Sequence, residues 1–468
     1  MKAQIDKPVP RNQPGGRILF LNPPSDQKLY RGMVCNWLSK AKYVWKPFDF
    51  ILLSAWVPED VEAIYIDSFI HQASLTDILE FIERHRITAL VMSMSSIVWR
   101  NDLAILQNIR RRFPRLRIAV LGDIFQEIEF ARQVLPLEVT VIRHPFDPAL
   151  GEYFADGRSE SLSLLQSLEE GAAELPPIEI RSPVDLPLPR QQVFLNPHQR
   201  SPFDKYRAST IVNTNWSCPF ECSYCSYSSP YLPFAYRNPE SVLRELASLK
   251  ELKVREIFFG DATFGMPQAS GWEILQGIEE RGLKFSWHCY LRPKNVSDEF
   301  LALMARSGCH TVIIGVESSH PEMLARFNRR INTLEIDGFV RSCHRLGMAV
   351  CGDFILGLND SPDDWKLLTD FAIGLKLDYA SFNIYIPMLG SRERKQAIKE
   401  GRLERGAWGY DTTGARKSMV RHSENRLRCV RRFFGRPGYW LKRLVKIRTF
   451  GEVVIKLEEF IHLYLINR

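Results

Sequence analysis

The part of this sequence whose residue types and spacing most plainly carry chemistry is Cys218-Pro-Phe-Glu-Cys222-Ser-Tyr-Cys225. Three thiolates separated by three and then two residues can wrap one corner of a cubane iron-sulfur cluster, which ordinarily takes four cysteines. With three, one iron stays open, and an open site on a reducing cluster is where a small molecule can bind and receive an electron. A zinc knuckle would need a second Cys or His pair at ligand spacing. Cys35, Cys289, Cys309, Cys343, Cys351 and Cys429 supply none, and Cys343 adjoins His344 too closely for a finger.

A loop of this kind has to be held by regular structure. Ala208 to Thr214 reads as a strand running straight into the cysteines, and five further apolar runs follow at βα spacing: Glu256 to Gly260, Lys284 to Leu291, His310 to Glu317, Met348 to Leu356 and Tyr379 to Ile386. Asn238-Pro239 is a helix start, and Ser361-Pro-Asp-Asp364 has a capping-box pattern with Pro in the first turn. Six such units predict a partial (β/α)6 barrel with its chemistry at the carboxyl ends of the strands.

The cysteine spacing, with Tyr224 just before the third cysteine, resembles the signature of the radical S-adenosylmethionine (AdoMet) enzymes. That resemblance implies a 4Fe-4S cluster on Cys218, Cys222 and Cys225 whose open iron chelates AdoMet and cleaves it reductively. It implies, further, that Gly260 and Asp261 lie where backbone meets the amino group of AdoMet. Arg292 and Glu317, at the ends of the third and fourth strands, would hold its carboxylate and ribose. Gly357, after the fifth, would approach the adenine, and Tyr224 would pack beside the cluster or the adenine. Cys289, Tyr290, Asn383 and Tyr385 are expected at the pocket or its rim, and no general base stands out.

Ahead of the barrel the same rhythm occurs once more. Arg17 to Asn22, Val61 to Asp67, Thr88 to Ser95 and Leu116 to Gly122 read as strands, with amphipathic helices at Leu75 to Arg84 and Asp102 to Phe113. Alternation of this kind predicts a doubly wound parallel sheet that binds ligands at the carboxyl ends of its strands. Asn22-Pro-Pro24, the serines after the third strand and Arg-Arg-Arg-Phe-Pro114 make residues 17 to about 150 resemble the cobalamin-binding module found ahead of many radical AdoMet domains. The resemblance puts Asn22, Pro23, Ser93, Ser95 and Gly122 at the cofactor. It departs from the family at Leu121-Gly122-Asp123-Ile124 and at Arg143-His144-Pro145. With no Asp-x-His-x-x-Gly motif, it implies a corrin with no histidine on its lower face. The aromatic stretch Tyr30 to Val57 reads either as a lid or as gap filling.

The expected α/β architecture is therefore a Rossmann-like cobalamin-binding-type domain (1–154), a Pro-rich linker (155–205), a radical AdoMet barrel (206–390) and a basic helical region (391–468). The 468 residues, 45% of them hydrophobic, suffice for several cored domains. Nine scattered cysteines suit a reducing cytoplasm rather than a disulfide framework. No apolar leader and no run approaching about 20 apolar residues is present. The net charge of +8 is lopsided: from Ser391 on, 20 Lys and Arg face 8 Asp and Glu, while the rest carries 42 against 46. This tail is expected to close the barrel's open side, the alternative being a surface helix touching acidic lipid head groups.

Taken with the two resemblances, the expected function is cobalamin-dependent radical AdoMet methylation of an unactivated carbon. The substrate would be a small or lipid-like biosynthetic molecule, and a reductase, flavodoxin or ferredoxin would donate electrons. Cyclisation, ring contraction or C–C coupling without methyl transfer is the alternative within the family, and a non-enzymatic cobalamin sensor is the alternative outside it. Nucleic acid is not expected, because methylthiotransferases resembling this barrel carry three further N-terminal cysteines and only Cys35 lies there.

Overall fold

The computed structural model describes residues 16–38, 44–157, 160–161, 163–294, 296–358, 361, 363–406 and 413–439. The described chain is built on two six-stranded sheets. The first draws on β1 (Arg17–Asn22), β4 (Glu62–Asp67), β5 (Ala89–Ser93), β6 (Arg117–Leu121), β7 (Thr140–Ile142) and β8 (Leu164–Leu165), in the order β4-β1-β5-β6-β7-β8. Two short strands, β2 (Leu29–Tyr30) and β3 (Trp37–Leu38), form a separate hairpin after β1. Five strands of the first sheet are parallel, as expected of a doubly wound sheet; β8 pairs with β7 antiparallel.

That sixth strand comes from the stretch read as a connector, and more of the connector is packed down than its Pro content suggested. Leu175, Val184, Leu186 and Phe194 are buried. Arg190 donates to the carbonyls of Val57 and Val61. The prolines remove backbone donors without removing apolar surface, so the chain stays irregular yet is still drawn into the core.

The second sheet is the partial barrel. Its strands are β9 (Ser209–Val212), β12 (Glu256–Phe259), β13 (Ser286–Tyr290), β14 (Cys309–Glu317), β15 (Ala349–Leu356) and β16 (Tyr379–Ile384), adjacent in chain order and all parallel. Each lies within a residue or two of its sequence expectation. Asn238 Oδ1 accepts from Glu240 N at 3.0 Å and caps helix Pro239–Glu251, as its sequence implied. Helix Asp364–Gly374 instead starts beyond Ser361-Pro362, with no side-chain cap at Asp363.

Both faces of each sheet are covered, which explains the near-continuous apolar runs. Leu19 and Leu21 of β1 face one core with Ile78, Phe81 and Leu106 of the helices, while Ile18 and Phe20 face the other. That second core does not stop at the first sheet. It runs on through Trp216 into the barrel lumen, where Ile211, Phe258, Ile313 and Cys351 sit. Ring pairs bridge the two sheets: Phe48 to Trp216 at 6.1 Å, Phe146 to Trp216 at 6.4 Å, and Trp45 to Phe258 at 5.7 Å. The described part of the aromatic stretch 30–57 therefore fills space between the sheets, and Phe48–Leu53 is a buried helix.

The basic region begins with helix Arg392–Lys399 and continues as Thr413–Phe434, ending before Gly435. Phe433 joins Phe382 and Phe354 of the last strands in one core, and Cys429 Sγ lies 3.3 Å from the Trp365 carbonyl. This helix thus covers the outer face of β15 and β16. The amphipathic Tyr439 to Arg448 stretch falls, apart from Tyr439, outside the described residues. No helix among the described residues is long and apolar enough to cross a membrane.

Candidate functional site

The cysteine loop leaves the carboxyl end of β9 and is pinched at its base. A hairpin of β10 (Asn215–Trp216) and β11 (Ala235–Tyr236) brackets it, so residues 217–234 form one closed excursion. Asp261, fully buried after β12, accepts from Thr214 N (2.7 Å), Thr214 Oγ1 (2.6 Å) and Asn215 N (3.0 Å). Its carboxylate is thus spent on holding the loop's root, and burial pushes its pKa up to about 7. Gly260 is needed beside it, since a Cβ there would meet Ile211 Cγ2 at 2.8 Å.

Within the loop, Ser217 takes a positive φ of 68° and donates to the carbonyls of Tyr227 (2.9 Å) and Leu232 (2.8 Å). Ser228 Oγ lies 2.7 Å from the carbonyls of both Cys222 and Cys225. Contacts from outside complete the hold. Ser223 N donates to Phe327 O, Asn328 Nδ2 donates to Glu221 O, and Ser223 O accepts from Glu393 N. Side-chain and backbone hydrogen bonds, within the loop and from the segments at Phe327 and Glu393, therefore hold the loop that carries the three sulfurs.

All nine cysteines are free thiols. Burial pushes the Cys218 and Cys225 thiols up, and the neighbouring sulfurs push further, so this trio asks for a cation. The three sulfurs are not gathered within 4.8 Å of one another, as the ligands of a single ion would be. Wider separation suits a cluster in which each thiolate meets a different iron. Cys222 Sγ faces two guanidinium groups, with Arg292 Nη1 at 3.7 Å and Arg329 Nη1 at 3.6 Å. These supply donors and positive charge to a sulfur that would carry negative charge, and both arginines are buried.

Arg292 stacks over Phe220, its guanidinium carbon 4.1 Å from the ring centre, and donates to the Arg329 carbonyl. Its Nε is buried without a partner, as are Asn213 Oδ1 just after β9 and Asn215 Oδ1 at the start of β10. Unpaired polar atoms at the carboxyl ends of strands fit a zwitterionic, ribose-bearing ligand such as AdoMet. Arg329 donates to Gly315 O at 2.7 Å and pairs with Glu317 at 3.9 Å. Burial opposes its charge, but Tyr224, Glu317 and Cys222 outweigh that and hold its proton more tightly. Glu317 sits at a positive φ of 65° where the β14–β15 register shifts, and burial raises its pKa against the pull of Arg329. A bulge here re-aims the carboxylate toward the loop. Tyr224 lies edge-on to Phe327 at 5.9 Å, beside Tyr385 in a small apolar cluster.

A cavity of about 500 Å³ opens beside Cys218, walled by Phe220 and Tyr227 and by Arg392 and Lys395. Gly357, at φ 86°, abuts His422 of helix Thr413–Phe434: a Cβ there would meet Nε2 at 3.0 Å. Cys289 does not face the pocket. It is fully buried in the core between sheet and helices, one strand position out of phase with Tyr290, which does turn inward. Arg329 was not legible in the sequence, because it follows a short helix and only the fold carries it back to Cys222.

At the carboxyl edge of the first sheet, the residues named for a corrin are bonded within the chain. Asn22 Nδ2 donates to Asp67 (2.9 Å), and its Oδ1 accepts from Arg31 (2.9 Å) and Ser93 (3.1 Å). Ser95 caps Ile97 N, and its own N–H bonds Asp102, which also takes Arg31 through two hydrogen bonds of 3.0 Å. Gly122 is required by the Met94 carbonyl, 2.1 Å from where a Cβ would stand. What remains for a ligand is backbone, Pro23 and two buried acceptors without partners, Asp49 Oδ1 and Gln126 Oε1. The donor carboxamides around a corrin fit acceptors of this kind.

Residues 213–372 match the family model described as the Radical SAM superfamily, so the chain carries a radical AdoMet domain. It is 31% identical over 265 residues to the uncharacterized methyltransferase PH0819 of Pyrococcus horikoshii, across 53% of this chain and 57% of that protein. The chain spans about half the length of the curated relatives it matches. Among solved structures, it shares its fold with the cobalamin-dependent AdoMet radical enzyme OxsB, solved with aqua-cobalamin and AdoMet bound. The TM-score is 0.65 at 13% identity, over 97% of this chain and 72% of that one. It also shares the fold of the radical AdoMet methyltransferase TsrM from Kitasatospora setae, solved with tryptophan and an AdoMet analogue. There the TM-score is 0.62 at 17% identity, over 82% and 76% of the chains.

Proposed function

We propose that this protein is a cobalamin-dependent radical AdoMet methyltransferase acting on an unactivated carbon of a small biosynthetic molecule. The observation that carries the reading is the three-cysteine loop at the carboxyl end of β9, with Arg292 and Arg329 both donating to Cys222. The two-sheet architecture and the methyltransferase name of a relative support the methyl-transfer part.

Cys218, Cys222 and Cys225 would ligate iron, the free carboxyl-end groups around Arg292 would take AdoMet, and the carboxyl edge of the first sheet would take the corrin. When bound, these groups supply an electron to AdoMet, a hydrogen-abstracting radical and a transferable methyl. The chain's own residues do the holding. Asp261 anchors the root of the loop, Ser228 fixes the two carbonyls between the ligands, and the guanidinium pair offsets charge on the middle sulfur. Tyr224, Phe327 and Tyr385 wall the site with apolar surface and limit water. Free thiols throughout suit a reducing compartment such as the cytoplasm, with a flavodoxin, ferredoxin or reductase as electron donor.

The test is anaerobic reconstitution with iron, sulfide and cobalamin, followed by dithionite and methyl-labelled AdoMet. The reading requires 5'-deoxyadenosine and label transferred to a carbon of the product. Deoxyadenosine without label in any product would assign the cyclisation or coupling chemistry instead.

A further inference from the structure

The opposite end of the barrel carries a second cluster that the cysteine site does not use. Glu256 opens β12, His288 is central in β13, and His310 lies at the start of β14, where the β13–β14 register shifts between Trp287 and His288. His310 is the extra residue at that shift, and the bulge turns its ring to Glu256, Nε2 to Oε1 at 2.8 Å. Nδ1 of His288 stands 3.5 Å from the same Oε1. One ligand atom from each residue lies within 4.8 Å of the others, and among the described residues no other such group of His, Cys, Asp and Glu occurs.

We propose that Glu256, His288 and His310 form a binding site for a divalent transition ion of the zinc class, fastening three barrel strands together at their amino ends. Two imidazoles and one carboxylate are a familiar donor set for such ions. Tetrahedral geometry at metal–ligand distances near 2.0–2.1 Å sets ligands about 3.3 Å apart, close to the 2.8 and 3.5 Å seen here.

Two further observations point to a ligand. His288 is fully buried, yet neither of its ring nitrogens makes a hydrogen bond, a costly arrangement unless something else satisfies them. In addition, two of the three ligands are held on their far atom, as metal-binding residues are. Thr311 Oγ1 meets His310 Nδ1 at 2.8 Å and Lys205 N donates to Glu256 Oε2 at 3.1 Å, while Asp204 Oδ1 stands 3.8 Å from His288 Nε2, beyond hydrogen-bond distance. Phe258 stacked on His288 at 4.7 Å and Phe203 edge-on at 5.8 Å shut out solvent, so the role is structural. His310, its side chain 11% exposed, marks the way in.

The site stands apart from the cysteine loop, and the experiment keeps the two separate. The full-length protein, cluster reconstituted so that its cysteines are occupied, is stripped of loose metal, offered one equivalent of zinc and assayed by mass spectrometry and zinc-edge X-ray absorption. The expected result is about one retained zinc with a nitrogen and oxygen shell near 2.0–2.1 Å. Glu256→Gln and His310→Gln should each weaken retention at least tenfold, and zinc should raise the melting temperature of the parent but not of the variants. Iron content and deoxyadenosine formation in those variants report that the barrel has folded. Zinc retained equally by parent and variants, a sulfur shell near 2.3 Å, or no retention by a protein that still cleaves AdoMet would each overturn the proposal.

Discussion

The two ends of β14 are built by the same device for opposite purposes. Each has a register shift, at Trp287/His288 against the amino end and at Gly315/Glu317 near the carboxyl end. At the carboxyl end the shift delivers Glu317 to a loop with cavity space beside it and unpaired Asn213, Asn215 and Arg292 atoms around it. At the amino end it delivers His310 to a cluster sealed by aromatic rings. Both ends keep unpaired polar atoms, but those at the carboxyl end lie beside open space and those at the amino end behind rings, so the first arrangement suits turnover and the second a permanently held ligand.

The sharpest way to break this contrast is Cys222→Ala, which should abolish iron retention and deoxyadenosine formation while leaving zinc uptake at Glu256, His288 and His310 unchanged. Loss of both would show that the two ends are one coupled system. Phe258→Ala comes next. This ring lies between the ends, 2% exposed and packed on His288, Trp45 and Tyr290. Its removal should cost about 3–5 kcal/mol by denaturant unfolding, and a smaller cost would mean the lumen is not the solid plug described.

Asp261→Asn sharpens the carboxyl end. The folded-state pKa of about 7 lies above the unfolded value near 3.9. As pH rises, the unfolded chain therefore releases this proton first, and the group's contribution to stability falls from about pH 4 to about pH 7. The amide should remove that component of the pH dependence and cost about 1–3 kcal/mol where its NH2 meets the donors of Thr214 and Asn215, read from melting curves across that range. Arg329→Met is the smallest change. Withdrawing a donor and a positive charge from Cys222 should lower the cluster's reduction potential by on the order of 60 mV, one decade in a one-electron equilibrium, measurable by redox titration with iron content unaltered.

How much of this was legible beforehand follows from where the residues sit along the chain. Cys218, Cys222 and Cys225 share one loop, so their spacing in sequence is close to their spacing in space. The six barrel strands and four of the first sheet were legible as apolar runs, whereas β7 (Thr140–Ile142) and β8 (Leu164–Leu165) are too short to leave such a pattern. Glu256, His288 and His310 belong to three strands, and only parallel pairing gathers them; Arg329 returns to Cys222 through a turn that leaves no pattern. The Pro-rich stretch misled in another way, since composition reports missing backbone donors but not the burial of Leu186 or Phe194. Cys289 and Tyr290 were both expected at the pocket or its rim, and only the fold separates them, turning Tyr290 inward and Cys289 into the outer core.

The apolar seam through Phe48, Trp216 and Phe258 has a practical corollary. A truncated gene encoding the catalytic half by itself would leave that seam facing water, and its product should aggregate rather than fold. Exchange of front halves between related proteins would succeed only if the matching face of the barrel travelled with them. The seam makes the two halves a single heritable unit.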